Sequence, residues 1–265
     1  MKIAVCIKQV PATQDAKMDP EKGVLLRDSA AARLNPYDVF AIEAALRLKE
    51  RAGGSVTALT MGPETALKVL QEACAMGADE GCLLSGRAFA GADVLATSYA
   101  LSQALRALGG FDLILCGRQT TDGDTAQVGP AIAAHLGLPC LCWVKGIEAV
   151  SESSITVRQS VTGGEQVVAC PLPCVLAADK DIFTPRVSTL KRKLLASKLE
   201  YRRLTLSDLP DADPNHYGLP GSATSVERIF PPERQSRGTV HRGSPEELAA
   251  LLAEALVPFL EEVQK

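Results

Sequence analysis

The chain has 265 residues, 46% of them hydrophobic and 22% charged, which allows one large domain or two smaller ones with a buried core and excludes general disorder. Its net charge of -3 gives no attraction for nucleic acid or an anionic membrane, so neither is expected as a partner. Residues 1–8 hold too short an apolar run for a signal peptide or a membrane span, which predicts a cytoplasmic protein without membrane insertion.

Eight cysteines are spread along the chain without a Cys-x-x-Cys pair, and only three histidines accompany them. Because structural metal sites use such closely spaced ligands, no metal site is predicted. Most of the cysteines lie within apolar runs, where a reduced cysteine behaves as a small buried hydrophobic side chain. The reducing cytoplasm agrees with this interpretation.

The first half of the chain alternates short apolar runs with longer amphipathic stretches, which is typical of β–α–β units and a parallel sheet. Four apolar runs predict strands that are buried on both faces, over residues 3–7, 56–61, 81–84 and 111–116. Four helices are predicted from their start and stop residues, over 36–52, 63–76, 93–108 and 124–136.

The second half of the chain has a different pattern. Short β-like runs between residues 141 and 178, with a turn at Gly163-Gly164, predict an antiparallel extension of the sheet. From Thr184 the chain is basic and then rich in Pro and Gly, which indicates a disordered linker or an arm that orders on a partner. Residues 244–263 predict an amphipathic helix that docks on another surface.

The loop from Cys116 to Pro130 follows the fourth predicted strand and enters the fourth predicted helix. In an open parallel sheet, ligands bind at this edge, where the strand order reverses. Its glycines let backbone N–H groups approach a pyrophosphate, the helix start carries partial positive charge, and Arg118 adds a full charge. Asp122 and Asp124 oppose phosphate binding unless they cap the helix or face ribose hydroxyls. The pattern favours a nucleotide site, with a plain glycine-rich connection as the alternative.

Motifs of other enzyme classes do not occur in this sequence. A dehydrogenase or an NTPase is disfavoured, because neither Gly-x-Gly-x-x-Gly after the first strand nor Gly-x-x-x-x-Gly-Lys-Ser/Thr is present. No Gly-x-Ser-x-Gly nucleophile elbow is present either. Asp179 and Asp181, which flank Lys180, are interpreted as solvated surface charges. No catalytic residue is assigned.

Several segments resemble, in the right order, those of electron transfer flavoprotein beta subunits, and the resemblance covers essentially the whole chain. These segments are residues 5–11, 34–38, 43–49, 60–63, 75–79 and the loop 116–130. The resemblance implies a Rossmann-like, adenine-nucleotide-binding α/β fold over residues 1–183, with a mostly parallel sheet and an antiparallel extension. It also implies a heterodimer with an alpha subunit that carries its own FAD, on which residues 184–265, an arm and a C-terminal helix, would dock.

The resemblance implies the residues that line the nucleotide site. They come from the ends of the first two strands, the Asn-Pro segment and the loop, and they are Cys6, Asn35, Asp38, Met61, Gly117, Arg118, Gln119, Thr120, Thr121, Asp122, Gly123, Asp124, Thr125, Ala126, Gln127, Val128 and Gly129. The basic segment 186–193 resembles the recognition loop that anchors partner dehydrogenases. Leu190 is the expected anchor, flanked by Lys191, Arg192 and Lys193.

Members of this family hold either AMP or a second FAD in this site. Residues 87–93, 123–130 and 217–225 resemble the electron-bifurcating branch, which holds FAD, whereas the hairpin 157–173 departs from the family's usual acidic pattern. The small side chains of the loop, at Thr125, Ala126 and Val128, leave room for FAD, and AMP fits the same loop.

The expected function follows from that branch. FAD on this subunit would take electrons from NADH, which Phe89, Ala90, Gly91 and Asp93 would help to seat. One electron would pass to an acyl-CoA dehydrogenase type partner, and the other to ferredoxin or flavodoxin. The alternatives are a simple electron carrier subunit with structural AMP, and a nucleotide-sensing module of the same fold.

Overall fold

The computed structural model describes residues 1–12, 32–180, 182–227 and 238–263. The chain divides into two units, Met1–Arg228 and Ile229–Lys265. The strands of the first unit, in chain order, are β1 Lys2–Cys6, β2 Gln9–Pro11, β3 Ala32–Leu34, β4 Ser55–Met61, β5 Glu80–Leu84, β6 Leu113–Gly117, β7 Cys140–Val150, β8 Ser154–Val161, β9 Gly164–Pro171, β10 Cys174–Ala178 and β11 Arg202–Leu204.

Nine of these strands form one sheet in the order β11-β5-β4-β1-β6-β10-β7-β8-β9, and β2 pairs separately with β3. Neighbours from β11 to β7 are parallel, whereas β7, β8 and β9 pair antiparallel. The α/β class, the mostly parallel sheet and its antiparallel extension are therefore confirmed.

The described residues form six α-helices: α1 Pro36–Ala52, α2 Leu67–Met76, α3 Val94–Ala107, α4 Val128–Leu136, α5 Leu190–Ala196 and α6 Pro245–Val263. The central strand β1 shows why the sheet needs helices on both faces. Ile3 and Val5 enter the core beneath α1 and α2, whereas Ala4 and Cys6 enter the core beneath α3 and α4. Since successive side chains alternate between the faces, a strand buried on both faces reads as a continuous apolar run.

Two boundaries differ from those that the sequence predicts. Helix α4 begins at Val128 and not at Asp124, because Asp124 and Ala126 adopt φ of 53° and 55°, which a right-handed helix excludes. The edge strand β11 is not predicted, because two arginines precede Leu204 and only that leucine is buried. Short edge strands lack the apolar run that identifies central ones.

Residues 211–221, which the sequence marks as part of a linker or arm, belong to the first unit and pack against the rest of it. Tyr217 is fully buried, and its ring meets Phe89 edge to face with centroids 5.5 Å apart. This tyrosine and the hydrogen bond from Leu219 N–H to Ala90 O, at 3.0 Å, hold the segment beside the end of β5.

In the second unit, α6 confirms the predicted C-terminal helix. Its first turn has the expected capping box, in which Glu247 N–H donates to Ser244 Oγ at 3.3 Å and Ser244 N–H donates to Glu247 Oε2 at 2.8 Å. Among the helices in the described part of the chain, none is long and apolar enough to cross a membrane.

Tyr217→Ala should lower the free energy of unfolding of the full chain by about 3 to 5 kcal/mol, the usual loss for a buried aromatic side chain. Urea unfolding followed by circular dichroism measures this change. Val226→Ala, at a side chain that is 78% exposed, is the control and should change stability by less than about 0.5 kcal/mol. Equal stabilities of the two variants would contradict the packing of residues 211–221.

Candidate functional site

The candidate site lies at the carboxyl edge of the parallel sheet, where β1 has β4 on one side and β6 on the other. The chain passes from β1 through β4 to β5 and then returns to place β6 on the opposite side, so the strand order reverses beside β1. Loops diverge at such a switch point and leave a crevice. Three of the predicted site residues, Cys6, Met61 and Gly117, lie at the ends of β1, β4 and β6 along this edge.

Asp38, in the first turn of α1, joins the ends of β1 and β6. Its carboxylate accepts hydrogen bonds from the backbone N–H of Lys8, at 2.7 Å, and of Gly117. Burial raises the pKa of Asp38 to about 7, and the hydrogen bonds from Asn35, Lys8 and Gly117 act in the opposite direction. A side chain at position 117 would meet backbone, since a Cβ there would lie 2.7 Å from the carbonyl carbon of Tyr37. Glycine is therefore required where α1 packs against β6.

Asn35 fastens the loop that follows β6 to the start of α1. The residue is fully buried, its Nδ2 donates to Gln119 O at 2.9 Å, and its Oδ1 accepts from Thr121 N–H at 3.3 Å. Asn35 is the N-cap residue of α1, and its side chain makes no capping hydrogen bond. Its amide group holds the loop instead.

Arg118 lies against two aromatic rings. Its guanidinium carbon is 4.3 Å from the ring centroid of Trp143 and 5.1 Å from that of Tyr37. Its Nε donates to Gln119 Oε1 at 2.7 Å. Stacking of a planar cation on aromatic faces restricts its orientation, and 17% exposure of the side chain limits screening by water. Arg118 is thus a positive charge held in a fixed position.

Asp179 holds the same guanidinium from the end of β10. Arg118 Nη1 donates to Asp179 Oδ1 at 2.8 Å, and the aspartate side chain is only 6% exposed. The interpretation of Asp179 as a solvated surface charge is therefore wrong, because the parallel pairing of β6 with β10 brings it beside Arg118. Asp181 lies outside the described residues.

Trp143 was also missed by sequence reasoning. It has φ of 58° beside a register irregularity of β7, a conformation that bulky residues rarely adopt. Nothing local in the sequence indicates that it contacts residues of the loop after β6.

Both loop carboxylates have hydrogen-bond partners within the protein, and Asp122 is neutralised by a lysine. Lys8 Nζ donates to both oxygens of Asp122, at 2.8 and 2.9 Å, and Gln119 Nε2 donates to Asp124 Oδ1. Partial burial opposes ionisation of Asp122, but the hydrogen bonds from Lys8 and Thr120 outweigh it and lower its pKa. Neither acid caps α4, since the N-cap residue of this helix is Gln127.

The start of α4 supplies backbone donors to the crevice. Its first hydrogen bond runs from Ala131 N–H to Gln127 O at 3.0 Å, so the N–H groups of Val128 and Gly129 have no acceptor within the helix. Donors of this kind, together with the helix dipole, favour an anion at the helix start.

The thiols at this edge are unsuited to nucleophilic chemistry. The hydrogen bond with Cys6 and burial raise the pKa of Cys116 well above its ordinary value. A neutral thiol is a poor nucleophile. The arrangement can bind and orient an anionic ligand, and it contains no group placed for covalent attack among the described residues.

The residues expected to seat NADH are partly engaged elsewhere. Phe89 is buried against the tyrosine of segment 217–224, and Asp93 caps α3 and accepts hydrogen bonds from the same segment at 2.9 and 3.0 Å. Exposed backbone lies between them, at Ala90 and Gly91. Contact of these four residues with NADH stays a prediction.

The expected recognition segment contains α5. Leu190, its first residue, is 73% exposed, and Lys191 and Lys193 are also exposed. Arg192 is less available to a partner protein, because its Nη1 donates to Met76 O at 3.0 Å. This hydrogen bond connects α5 to the end of α2.

Arg186 fixes the chain that precedes α5 to helix α1. Its Nε donates to Glu43 Oε2 at 2.8 Å and its Nη1 to Glu50 Oε1 at 2.6 Å. The Glu43 side chain is 2% exposed. Burial opposes its ionisation, and the hydrogen bonds from Arg186 and Arg47 outweigh this and lower its pKa. Helix α1 therefore contacts both the crevice and the recognition segment.

Fold and site together define a Rossmann-like protein with a glycine-containing loop at the switch point of its sheet. Residues 22–209 match the family described as "Electron transfer flavoprotein domain". The chain is 41% identical over 256 residues to the electron transfer flavoprotein subunit beta of Clostridium acetobutylicum, with 97% of this chain and 98% of the relative covered.

Two further relatives carry the names of larger assemblies. The caffeyl-CoA reductase-Etf complex subunit CarD of Acetobacterium woodii is 40% identical, with 92% of this chain and 93% of the relative covered. The acryloyl-CoA reductase electron transfer subunit gamma of Anaerotignum propionicum is 40% identical, with coverages of 97% and 98%. The chain belongs to the electron transfer flavoprotein beta subunit family.

Asp38→Asn should remove a pH dependence of stability. Because burial raises the pKa of Asp38 from 3.8 to about 7, the folded chain retains a proton that the unfolded chain loses between these values. This group therefore lowers the free energy of unfolding by up to about 1.4 kcal/mol per pH unit as the pH rises from about 4 to 7. Urea unfolding at several pH values measures the slope.

The asparagine at position 38 cannot ionise. The free energy of unfolding of this variant should therefore change less than that of the wild type as the pH rises from about 4 to 7. The matched control is Asp122→Asn, since the pKa of Asp122 is lowered and its removal leaves the slope between pH 5 and 7 in place. A profile of Asp38→Asn that follows the wild type through this range would show that Asp38 is ionised throughout.

Proposed function

We propose that this chain is the beta subunit of a heterodimeric electron transfer flavoprotein, that it binds FAD in the crevice beside β1, and that NADH is its electron donor. Electrons would be bifurcated to an acyl-CoA dehydrogenase type partner and to ferredoxin or flavodoxin. Family membership supports the heterodimer with an alpha subunit. Relatives named for caffeyl-CoA and acryloyl-CoA reductases support a partner that acts on CoA esters.

The observation that supports nucleotide binding is a loop with an oriented arginine at its first residue and the start of α4 at its end. Arg118 is held by Asp179 at 2.8 Å and by the Trp143 ring at 4.3 Å, and Val128 and Gly129 offer backbone N–H groups. These are the groups that bind a pyrophosphate. Because Lys8 neutralises Asp122, the nearby acid does not repel a phosphate.

The same residues fit the cofactor by shape. No side chain can project from Gly117 into the first turn of α1, and the loop beyond it is exposed at residues 122–125. The loop would hold the phosphates, while Asn35 and Asp38 hold the loop to β1 and α1. Flavin supplies the electron transfer chemistry when bound, and the protein's part is binding, orientation and exclusion of water.

AMP is the second candidate ligand, because it carries the adenosine and one phosphate that the same loop would bind. The small residues Thr125, which is exposed, and Ala126, which is half-buried, favour FAD, since a flavin must extend beyond the phosphates. With AMP, the subunit would be a simple carrier that passes electrons through the FAD of the alpha subunit.

The decisive experiment counts the cofactors of the purified heterodimer with its alpha subunit. Denaturation followed by chromatography should release two FAD and no AMP per heterodimer, and NADH should bleach the flavin absorbance without another protein. One FAD with one AMP would overturn the bifurcating proposal. Release of one FAD and no nucleotide from this subunit would overturn the nucleotide site itself.

Arg118→Ala should weaken retention of the beta-subunit ligand by about 10- to 100-fold, the loss expected for a charged hydrogen bond to phosphate. Equilibrium dialysis of the heterodimer measures it. Arg118→Lys keeps the charge but not the planar stack, so it should lose less. If both variants retain the ligand as tightly as the wild type does, Arg118 does not contact the ligand.

We also propose that residues 184–227 and α6 serve protein contacts and that Leu190 anchors the partner dehydrogenase. The anchoring role is supported by the 73% exposure of Leu190, on a helix that Arg192 and Arg186 fix in place. Leu190→Ala should reduce the rate of electron transfer to the partner, with an affinity loss of about 2 kcal/mol typical of an anchor. Leu194→Ala, 56% exposed on the same helix, is the matched control. Equal effects of both substitutions would contradict a specific role for Leu190.

A further inference from the structure

Two half-buried cysteines lie together at the start of β7. All eight cysteines are free, and Cys140 and Cys142 are the two that are not buried. Their Sγ atoms are 3.8 Å apart. Alternate residues of a strand point to one face with Cα atoms about 6.6 Å apart, which is within reach of a disulfide. Trp143, with φ of 58°, follows them directly and departs from the extended backbone.

The two thiols differ in character. The hydrogen bond between the two thiols lowers the pKa of Cys142 and raises the pKa of Cys140, which burial also raises. By contrast, burial raises the pKa of Cys74 and of Cys82 to about 11. Since the thiolate is the reactive form, Cys142 is suited to attack and Cys140 to resolve the product.

We propose that Cys140 and Cys142 form a modification site, a dithiol that hydrogen peroxide converts into a disulfide and that a dithiol reductant restores. The Cys142 thiolate attacks one peroxide oxygen, an S–O bond forms as the O–O bond breaks, and the released hydroxide takes up a proton to leave as water. Cys140 then attacks the sulfenic sulfur, and the hydroxyl leaves with the Cys140 proton as a second water. The two sulfurs lose two electrons, which reduce the peroxide.

The modification reaches the candidate site through Trp143. Closing the bond brings two sulfurs from 3.8 Å to about 2.0 Å, which requires a shift of the backbone next to Trp143. The ring of Trp143 is 4.3 Å from the guanidinium carbon of Arg118. Oxidation therefore changes the surroundings of Arg118, the first residue of the loop after β6. Trp143 is the sole tryptophan, so its emission reports this change.

The test treats the full-length chain with hydrogen peroxide, blocks remaining thiols with an alkylating reagent in denaturant, and maps the peptides by mass. Two of the eight thiols should be lost, with Cys140 and Cys142 linked within one peptide, and dithiothreitol should restore both. Tryptophan emission should change and recover in parallel. Eight alkylated thiols, or a link between Cys170 and Cys174, would overturn the proposal, and a disulfide without any emission change would overturn its link to Arg118.

Single substitutions separate the two roles. Cys140→Ala leaves no resolving thiol, so peroxide should produce a sulfenic acid at Cys142 that a dimedone probe labels, whereas Cys142→Ala should show no such label. Cys74→Ala is the matched control and should form the disulfide like the wild type. Equal labelling of Cys140→Ala and Cys142→Ala would refute the assignment of attack to Cys142. The mapping of the wild type decides the proposal even where a variant does not fold.

Discussion

One buried carboxylate holds the candidate site together. Asp38 accepts hydrogen bonds from the ends of two adjacent strands, β1 and β6, and it belongs to the helix that leaves the first of them. Burial of Asp38 opposes its ionisation and therefore costs stability. The hydrogen bonds that the fixed geometry provides offset this cost. The direct packing of α1 on Gly117 and the attachment of the loop through Asn35 both depend on where Asp38 places the first turn of α1.

The two cations near this centre differ in how they are held. Lys8 pairs with Asp122, whereas Arg118 donates to Asp179 through Nη1 and to Gln119 through Nε and lies against two aromatic rings. An arginine supplies several donors in one plane, so a single carboxylate does not satisfy all of them. The pairing orients Arg118 without removing its capacity to bind phosphate.

The central strands and the position of the loop are predictable from sequence, because both signals are local. A strand such as β1 reads as an apolar run, and glycines between a strand and a helix indicate a phosphate loop. The partners of the loop are not predictable in this way. Arg118 and Asp179 are 61 positions apart in the sequence, and Lys8 and Asp122 are 114 positions apart. Strand pairings bring them together and leave no local pattern.

The predicted boundaries of helices and strands are wrong where tertiary contacts set the backbone conformation. Asp124 and Ala126 have positive φ although neither is glycine, so nothing in their identity shortens the predicted helix. The strand β11 has one buried residue, which is too little to stand out from a loop. The cofactor and the partner were expected from the family resemblance alone, because the periodicity of apolar residues carries no information about either.

The separation of the site residues along the chain has a consequence for how the protein assembles. Positions 8, 35 and 119–122 meet only after β1, β4 and β6 have paired through their crossover helices, and pairings of such long sequence separation form slowly. The crevice is therefore among the late products of folding, and it does not exist in any fragment that lacks one of those strands. A nucleotide that binds there selects the complete sheet over every partly folded form, and at 100 times its dissociation constant it adds about 2.7 kcal/mol to the stability of the whole unit.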